Sequence, residues 1–158
     1  MVIWFVITAV LTIHFVFRDP AFDYRLLIVG SVIPVVGDIS GGWGSVLNTM
    51  GFAVVVLGIV MVGSIGKRER RRRTLGLPIG LLLHMVFGGA WSSVDIFWWP
   101  VSGLNLGDAP ALLREHWTSA IAREAIGIAC ALWMMRRTNL LNPDARRTFK
   151  ESGKLHFP

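Results

Sequence analysis

The chain alternates between long apolar runs and short polar segments. A helix that crosses the hydrocarbon core of a bilayer needs about 20 predominantly apolar residues, with a range of about 17–25. We predict four runs that approach or reach this length to be transmembrane helices, namely Val2–Phe17, Val46–Ile65, Leu75–Trp91 and Thr118–Met135. The first of them is marginal in length.

A fifth apolar run, Leu26–Gly37, is shorter and contains Gly30 and Pro34. Proline lacks a backbone donor and disfavours the interior of a helix. A run of this length is more typical of a re-entrant or half-crossing element than of a full span. The predicted fold is therefore an all-α polytopic integral membrane protein, with four full transmembrane helices plus one short broken or re-entrant apolar segment.

The composition also favours a membrane location. Hydrophobic residues make up 53% of the chain and charged residues 16%, whereas a soluble domain carries about 25% charged residues. We predict one transmembrane domain over residues 1–137, followed by a basic polar tail over residues 138–158. The single cysteine, Cys130, lies within an apolar run, so we expect no intrachain disulfide and no zinc framework.

The positive charge is concentrated in two places. The segment 67–74 contains six of the sixteen lysine and arginine residues, and the region from Arg136 to Lys154 contains six more. Because basic clusters beside apolar spans mark the cytoplasmic side, we predict a cytoplasmic loop at 67–74 and an outer interfacial segment at 92–116. The expected location is the cell membrane (plasma or inner), with a multi-pass topology. The expected partners are the bilayer, its anionic headgroups and a further membrane protein, and not nucleic acid.

The orientation of the first helix has two solutions. If Leu26–Gly37 crosses the membrane fully, the N-terminus lies outside, and if this run is re-entrant from the outer side, the N-terminus lies inside. Arg18 and Arg25 favour a cytoplasmic position for the loop between the two runs. The short, broken run favours re-entry, which is the solution that we predict.

A few ionisable residues lie in or beside the apolar runs, where a charge at the bilayer centre costs at least about 2.5–3.5 kcal/mol. Imidazoles and carboxylates are ligands of zinc and similar divalent ions. His14, Asp38 and His84 are therefore candidate metal ligands, and Asp23 is a candidate catalytic base or fourth ligand. The alternative is that these groups form hydrogen bonds between helices.

Three glycines of the third run are candidate packing residues. Gly76 and Gly80 have the G-x-x-x-G spacing that permits close contact between helices. On a helix, His84, Gly88 and Trp91 share one face. A metal site on this face would be expected to have a second ligand four residues after His84, but that residue is Gly88. A glycine there is typical of a packing face that contains one hydrogen-bonded histidine.

The order of these features resembles a known family. It runs from a histidine late in the first span, through an aspartate in a short loop and the run "GSVIP", to a Gly-rich turn, an Arg-rich loop and "LPIGLLLHMVFGGAWSSVDIFWWP". This pattern, which covers roughly residues 10–103, is similar to that of the small membrane-bound metal-dependent hydrolases of the YdjM-like type.

The resemblance implies metal-binding or catalytic roles for four residues, namely His14, Asp23, Asp38 and His84. At three further positions the chain departs from the family, with Val35 in place of an aspartate, Ser45 in place of a histidine and Gly88 in place of an acidic residue. Each replacement removes a ligand or a base, and a tight divalent site usually needs three or more protein ligands.

Two main functions follow from these features. The first is a membrane-embedded, metal-dependent hydrolase-like protein that acts at the outer membrane interface on a lipid or lipid-linked substrate. It would use a divalent ion such as zinc, with Arg25 or Arg123 holding an anionic group of the substrate. The alternative is a catalytically degenerate relative that serves as a lipid-binding or helix-packing partner in a membrane complex. A small transporter is a weaker third hypothesis, which rests on the broken run.

Overall fold

The structure is a computed structural model. It describes residues 1–17, 22–39, 44–92, 94–103, 117–140 and 142–155, with the backbone alone at residues 38, 39, 44 and 45. All regular structure in these ranges is helical. In chain order the helices are α1 Val2–Phe17, α2 Tyr24–Ile39, α3 Gly44–Leu47, α4 Met50–Gly63, α5 Arg68–Thr74, α6 Gly76–Gly88, α7 Val94–Phe97, α8 Trp117–Arg137 and α9 Pro143–Ser152, with a 3₁₀ turn at Ala90–Ser92.

Local signals in the sequence determine several helix ends. The Thr49 side chain caps the start of α4 by accepting a hydrogen bond from the N–H of Phe52 at 3.1 Å. Gly89 ends α6 in the left-handed conformation, with φ 73°. Asn142 caps α9, and Pro143 occupies its first turn. The caps at Thr49 and Gly89 make α4 and α6 shorter than the apolar runs that contain them.

The prediction of four full transmembrane helices is wrong. Among the described residues, only α8, with 21 residues, is long and apolar enough to cross a membrane. Helices α1, α4 and α6 have 16, 14 and 13 residues, which is short of the about 20 that a crossing needs. The reason is that Thr49 interrupts the second apolar run and that Gly89 ends α6 before the end of the third apolar run. The helices therefore do not support the predicted multi-pass topology.

The prediction of a broken or re-entrant segment at Leu26–Gly37 is also wrong. These residues lie within α2, a continuous helix of 16 residues that contains both Gly30 and Pro34. Pro34 removes the helical hydrogen bond to the carbonyl of Gly30, but the helix continues for more than a turn beyond it. Gly30 has a packing role that does not interrupt the helix.

Helices α2 and α6 touch through their backbones. A Cβ atom added to Gly30 would overlap the carbonyl oxygen of Leu77, and one added to Gly80 would overlap the carbonyl oxygen of Leu27. A Cβ atom on Gly76 would lie 3.1 Å from the amide nitrogen of Leu27. Glycines on both helices thus bring the two axes closer than side chains would allow, as G-x-x-x-G packing does.

The contacts follow the same order along α2 and α6. Gly76, the first residue of α6, lies against Leu27 and the carbonyl oxygen of Asp23. His84, eight residues further along α6, reaches the carbonyl of Ser31, which is eight residues beyond Asp23. The two helices are therefore parallel.

Helix α1 runs in the opposite direction. Near its start, Phe5 stacks on His84, and near its end, Ile13 packs in the same buried cluster as Tyr24, the first residue of α2. The end of α1 therefore lies at the same end of the bundle as the start of α6, which α5 directly precedes. The start of α1 lies at the other end of the bundle. A re-entrant Leu26–Gly37 segment would instead place the N-terminus on the same side as the basic loop.

Helix α8 is parallel to α1, because Gly127 lies against Trp4 and Met134 belongs to the cluster around Ile13. The bundle consequently has two different ends. One, which we call the basic end, carries Arg25, α5, Arg136 and Arg137. The other, which we call the aromatic end, carries Trp91, Trp98, Trp99 and Trp117. The start of α4 lies at this aromatic end, since Gly51 lies against the Trp99 carbonyl.

We expect Gly80→Ala to destabilise the fold by about 1–3 kcal/mol, the range for overpacking a close contact. The new Cβ would overlap the carbonyl oxygen of Leu27 and lie 2.8 Å from the amide nitrogen of Ser31. Thermal unfolding in mild detergent, followed by circular dichroism, measures the change. Gly58→Ala is the matched control, because a Cβ there meets nothing within 4 Å. Equal melting temperatures for the two variants would contradict the backbone contact.

Candidate functional site

His84 lies in the contact between α1, α2 and α6. Its side chain is buried, with 1% exposure for the residue. Nδ1 lies 2.8 Å from the carbonyl oxygen of Ser31, and since a carbonyl only accepts, Nδ1 carries the proton and donates. The imidazole also stacks on the ring of Phe5, with 3.9 Å between ring centroids. His84 thus joins three helices through one hydrogen bond and one ring contact.

The partner of His84 lies just before the proline of α2. Pro34 has no N–H, so the carbonyl of Gly30 loses its helical hydrogen bond. The next carbonyl, that of Ser31, accepts from His84 across the helix contact. The other ring nitrogen of His84, Nε2, is buried without a hydrogen-bond partner among the described residues. The ring is therefore fixed by α2 and does not face solvent.

Asp23 and Arg25 form a bidentate ion pair. Arg25 Nε donates to Asp23 Oδ1 at 3.0 Å, and the second guanidinium nitrogen donates to Oδ2 at 2.7 Å. The side-chain hydrogen bond from Arg25 is the main cause that lowers the pKa of Asp23, and burial opposes it. The positive charge of Arg73 on α5 lowers this pKa further. Asp23 is therefore an ionised partner of Arg25.

The same ion pair holds the C-terminal part of the chain. Arg25 also donates to the carbonyls of Lys150 and Glu151, at 3.0 and 3.4 Å, in the last turn of α9. The Tyr24 N–H donates to the carbonyl of Gly153 at 2.8 Å, and Leu155 is buried in the core cluster. A cation at the C-terminal end of a helix is favourable. We call residues 142–155 the docked C-terminal segment.

The described residues do not bring the predicted metal ligands together. Asp23 lies beside Gly76, and His84 is eight residues further along α6, about 12 Å at 1.5 Å per residue. His14 is nine residues along α1 from Phe5, which stacks on His84, a separation of about 13 Å. No group of three potential ligands converges in the described part. The side chain of Asp38 lies outside the described residues.

The described positions of His14, Asp23 and His84 do not surround one divalent ion, because ligands around one ion lie about 2.0–2.2 Å from it. His84 uses one ring nitrogen for Ser31, and both carboxylate oxygens of Asp23 bond to Arg25. The geometry instead agrees with the alternative derived from the sequence, in which polar groups bond between helices. We therefore derive no catalytic step that uses a metal.

The two arginines proposed to bind substrate lie at opposite ends of the bundle. Arg25 is at the basic end, whereas Arg123 is near the start of α8, beside the start of α1. Its neighbour Glu124 accepts hydrogen bonds from the backbone N–H groups of Ile3 and Trp4, at 3.2 and 3.3 Å. A carboxylate at the start of a helix is stabilising. Glu124 therefore caps α1, and the two arginines do not share a site.

The packing glycines occupy different positions. Gly76 and Gly80 lie against α2, as described above. Gly88 is the last residue of α6 and is half-buried. The G-x-x-x-G spacing thus serves a contact within the chain.

A groove lies on the face of α2 and has a volume of about 620 Å³. It is open to the side and is bordered by α3. Among the described residues, its lining has no polar side chain and consists of Ile28, Val29, Val32, Ile33, Val36, Gly37 and Leu47. Sequence reasoning missed this groove because it treated the run as broken. The signal was present as aliphatic residues four apart at positions 28, 32 and 36, which share one face of a helix.

Comparison of the chain with known protein families, with curated proteins and with solved structures finds no match. The resemblance to the YdjM-like hydrolases therefore stays a prediction from the sequence. The geometry of the helices is the basis for the functional conclusion.

We expect His84→Ala to lower the free energy of unfolding by about 2–4 kcal/mol, because it removes a buried ring and leaves the Ser31 carbonyl without its side-chain donor. His14→Ala, at a half-buried residue in the last turn of α1, should cost less than about 1 kcal/mol. Denaturation in detergent measures both changes, and metal analysis of untagged protein accompanies it. Stoichiometric metal that both variants lose would contradict this assignment and favour the hydrolase.

We expect acid to weaken the docking of the C-terminal segment. The pKa of Asp23 is lowered from 3.8 in the fold, so the stabilisation is complete above that value and is lost as the pH falls through the lowered pKa. Asp23→Asn should remove this part of the pH dependence and cost about 1–2 kcal/mol at neutral pH. Melting curves from about pH 6 to about pH 2 for both proteins test it. Parallel pH profiles would contradict the role of the pair.

Proposed function

We propose that this chain is a membrane protein, inserted through α8, that binds the hydrocarbon chain of a lipid in the groove on α2. The observation that carries the proposal is the aliphatic character of every described residue that lines that groove. It corresponds to the lipid-binding alternative of the sequence analysis.

The exposure of α8 supports its insertion in a bilayer. A long apolar helix in the core of a soluble protein would be buried, but Ile121, Ile126 and Leu132 of α8 are all exposed. Helix α4 has the same character, since Val55 and Val62 are 58% and 70% exposed. Large exposed apolar surfaces mark contact with a membrane or with another protein. Helix α4 therefore has a side suited to lipid, although it is too short for a full crossing.

The groove has the size and chemistry of a site for a hydrocarbon chain. Ligand sites typically have volumes of about 300–1,000 Å³, and the groove has about 620 Å³. A ligand with a polar core needs a few polar groups to orient it, and the part of the lining that the structure describes offers none. Val29 and Val36 border the groove and are largely exposed, so a chain from the surrounding lipid reaches it sideways without leaving an apolar medium.

The hydrolase hypothesis receives less support from the arrangement. Its proposed ligand His14 lies about 13 Å along the axis of α1 from Phe5, which stacks on the other proposed ligand, His84. Its proposed base Asp23 forms hydrogen bonds with Arg25. The groove lies on α2 and none of these side chains lines it. The lipid-binding function uses residues that do lie together.

We expect Val32→Trp to place an indole in the middle of the groove and to reduce labelling of α2 by a photoactivatable fatty acid at least about tenfold, since the larger side chain would occupy space that the lipid chain uses. The label is located by mass spectrometry of peptides from the protein reconstituted in vesicles. Val55→Trp is the matched control, because Val55 is an exposed valine of α4 outside the groove.

The control variant should be labelled on α2 as strongly as the natural protein. Equal labelling of α2 in both variants, or labelling spread evenly over the exposed faces of α4 and α8, would contradict the groove as a lipid site. Co-purification of one stoichiometric partner protein that Val32→Trp releases would assign the groove to a partner helix instead.

A further inference from the structure

We propose that the basic end carries one composite surface for the headgroups of anionic phospholipids, built jointly by α5 and the docked C-terminal segment. This inference rests on the proposed membrane location. It adds to the proposed lipid binding a preference for anionic headgroups. It also gives the docking of α9 a function, which is to hold basic residues beside those of α5.

Helix α5 supplies the first half of the surface. It has the sequence RERRRRT, and every one of its arginines is exposed. Its single acidic residue, Glu69, pairs with Arg73 at 3.4 Å. Guanidinium groups bind phosphate in a bidentate manner, so a cluster of exposed arginines at the end of apolar helices is suited to lipid phosphates.

Helix α9 supplies the second half. Its basic residues Arg146, Arg147 and Lys150 are exposed, and Arg147 pairs with Glu151 at 3.1 Å. The helix is held at the basic end by Arg25, which donates to the carbonyls of its last turn. Without that docking, the charges of α9 would have no fixed position relative to α5.

The two halves meet around Asp23. The backbone of Asp23 lies against Gly76, which follows α5 by two residues, and its carboxylate binds Arg25, which holds α9. The charge of Arg73 also acts on this carboxylate. Gly153 is packed so closely that a Cβ there would overlap the Asp23 carboxylate. α5 and α9 therefore adjoin one buried acid and present their positive charges at one end.

The surroundings of the surface favour a lipid over a nucleic acid. Exposed apolar residues adjoin the basic end, with Phe15 and Phe17 at the end of α1 and Val62 and Ile65 just before α5. Ile65 is 74% exposed and lies two residues from Lys67. A positive surface beside an apolar one matches the boundary between headgroups and hydrocarbon, whereas nucleic acid binding has no use for such an apolar border.

The test measures the affinity of the natural protein in neutral detergent for dioctanoyl phosphatidylglycerol and for dioctanoyl phosphatidylcholine by titration calorimetry. We expect the anionic lipid to bind at least about tenfold more tightly, since each basic residue near an anionic surface contributes about fivefold. The two lipids have the same chains, so binding in the α2 groove cancels in the comparison. Failure of the groove proposal is thereby distinguishable from failure of this one.

Gly153→Ala tests the composite nature of the surface, because it disrupts docking without a change of charge. Gly153 has φ 69°, and its new Cβ would overlap the Asp23 carboxylate. We expect at least about a tenfold loss of the preference for the anionic lipid, together with loss of hydrogen-exchange protection at the Tyr24 amide. Arg68→Gln is the comparison variant, since it removes one exposed charge of α5 and should cost about fivefold with the Tyr24 amide still protected.

Arg25→Gln provides a second route to the undocked state, should Gly153→Ala fail to fold. Equal affinity for the two lipids in the natural protein would overturn the proposal. So would an undocked variant, proven by exchange at Tyr24, that keeps the full lipid preference. Displacement of the anionic lipid by a single-stranded oligonucleotide at lower concentration would overturn it in favour of nucleic acid.

Discussion

The direct backbone contact between α2 and α6 is the constraint on which the rest of the structure depends. Gly30 and Gly80 leave no room for a Cβ on either side, so the two helices are fixed in register as well as in separation. With that register set, His84 meets the carbonyl of Ser31 and stacks on Phe5 of α1. On another face of α2, aliphatic side chains line the groove among the described residues. One glycine-based contact thus positions both the buried histidine and the candidate lipid site.

The parallel direction of α2 and α6 also explains the two unlike ends of the molecule. Because α6 begins where α2 begins, α5 lies beside the Asp23–Arg25 pair, and that pair holds α9. Helix α8 runs the other way and ends with Arg136 and Arg137 at the same place. Most of the positive charge of the chain is therefore collected at one end. The tryptophans lie at the opposite end, and the exposed apolar sides of α4 and α8 lie between the two ends. The surface therefore has a basic, an apolar and an aromatic zone in that order.

The sequence predicted the general character of the fold better than its details. A helical structure, basic clusters and the capacity of Gly76 and Gly80 for close contact were all readable from periodicity and composition. The length of the helices was not, because Thr49 begins α4 and Gly89 ends α6 inside apolar runs, and a hydropathy pattern contains no information about such caps. Pro34 was read as a break, although a helix tolerates proline where tertiary contacts hold it.

The candidate site was harder to predict, because its members are separated along the chain and ordinary in type. Spacing places His14, Asp23 and His84 on helices but does not place them at one level of the bundle, and the structure puts His84 more than two turns from each of the others. The partners of these groups, a backbone carbonyl for His84 and the last turn of α9 for Arg25, leave no mark in the sequence. The groove required the knowledge that α2 is continuous.

The measurement that tests this account most directly is disulfide formation between α2 and α6 in membranes, in a Cys130→Ser background. The Cβ of Leu26 lies 3.5 Å from the Cβ position of Gly76, within the about 3.5–4.5 Å that a disulfide requires. Parallel packing of α2 and α6 predicts that Leu26→Cys with Gly76→Cys cross-links nearly completely on mild oxidation, and that Leu26→Cys with Gly88→Cys does not. Cross-linking of the second pair in place of the first would show that the helices are antiparallel, and would contradict the register on which the groove and the basic end depend.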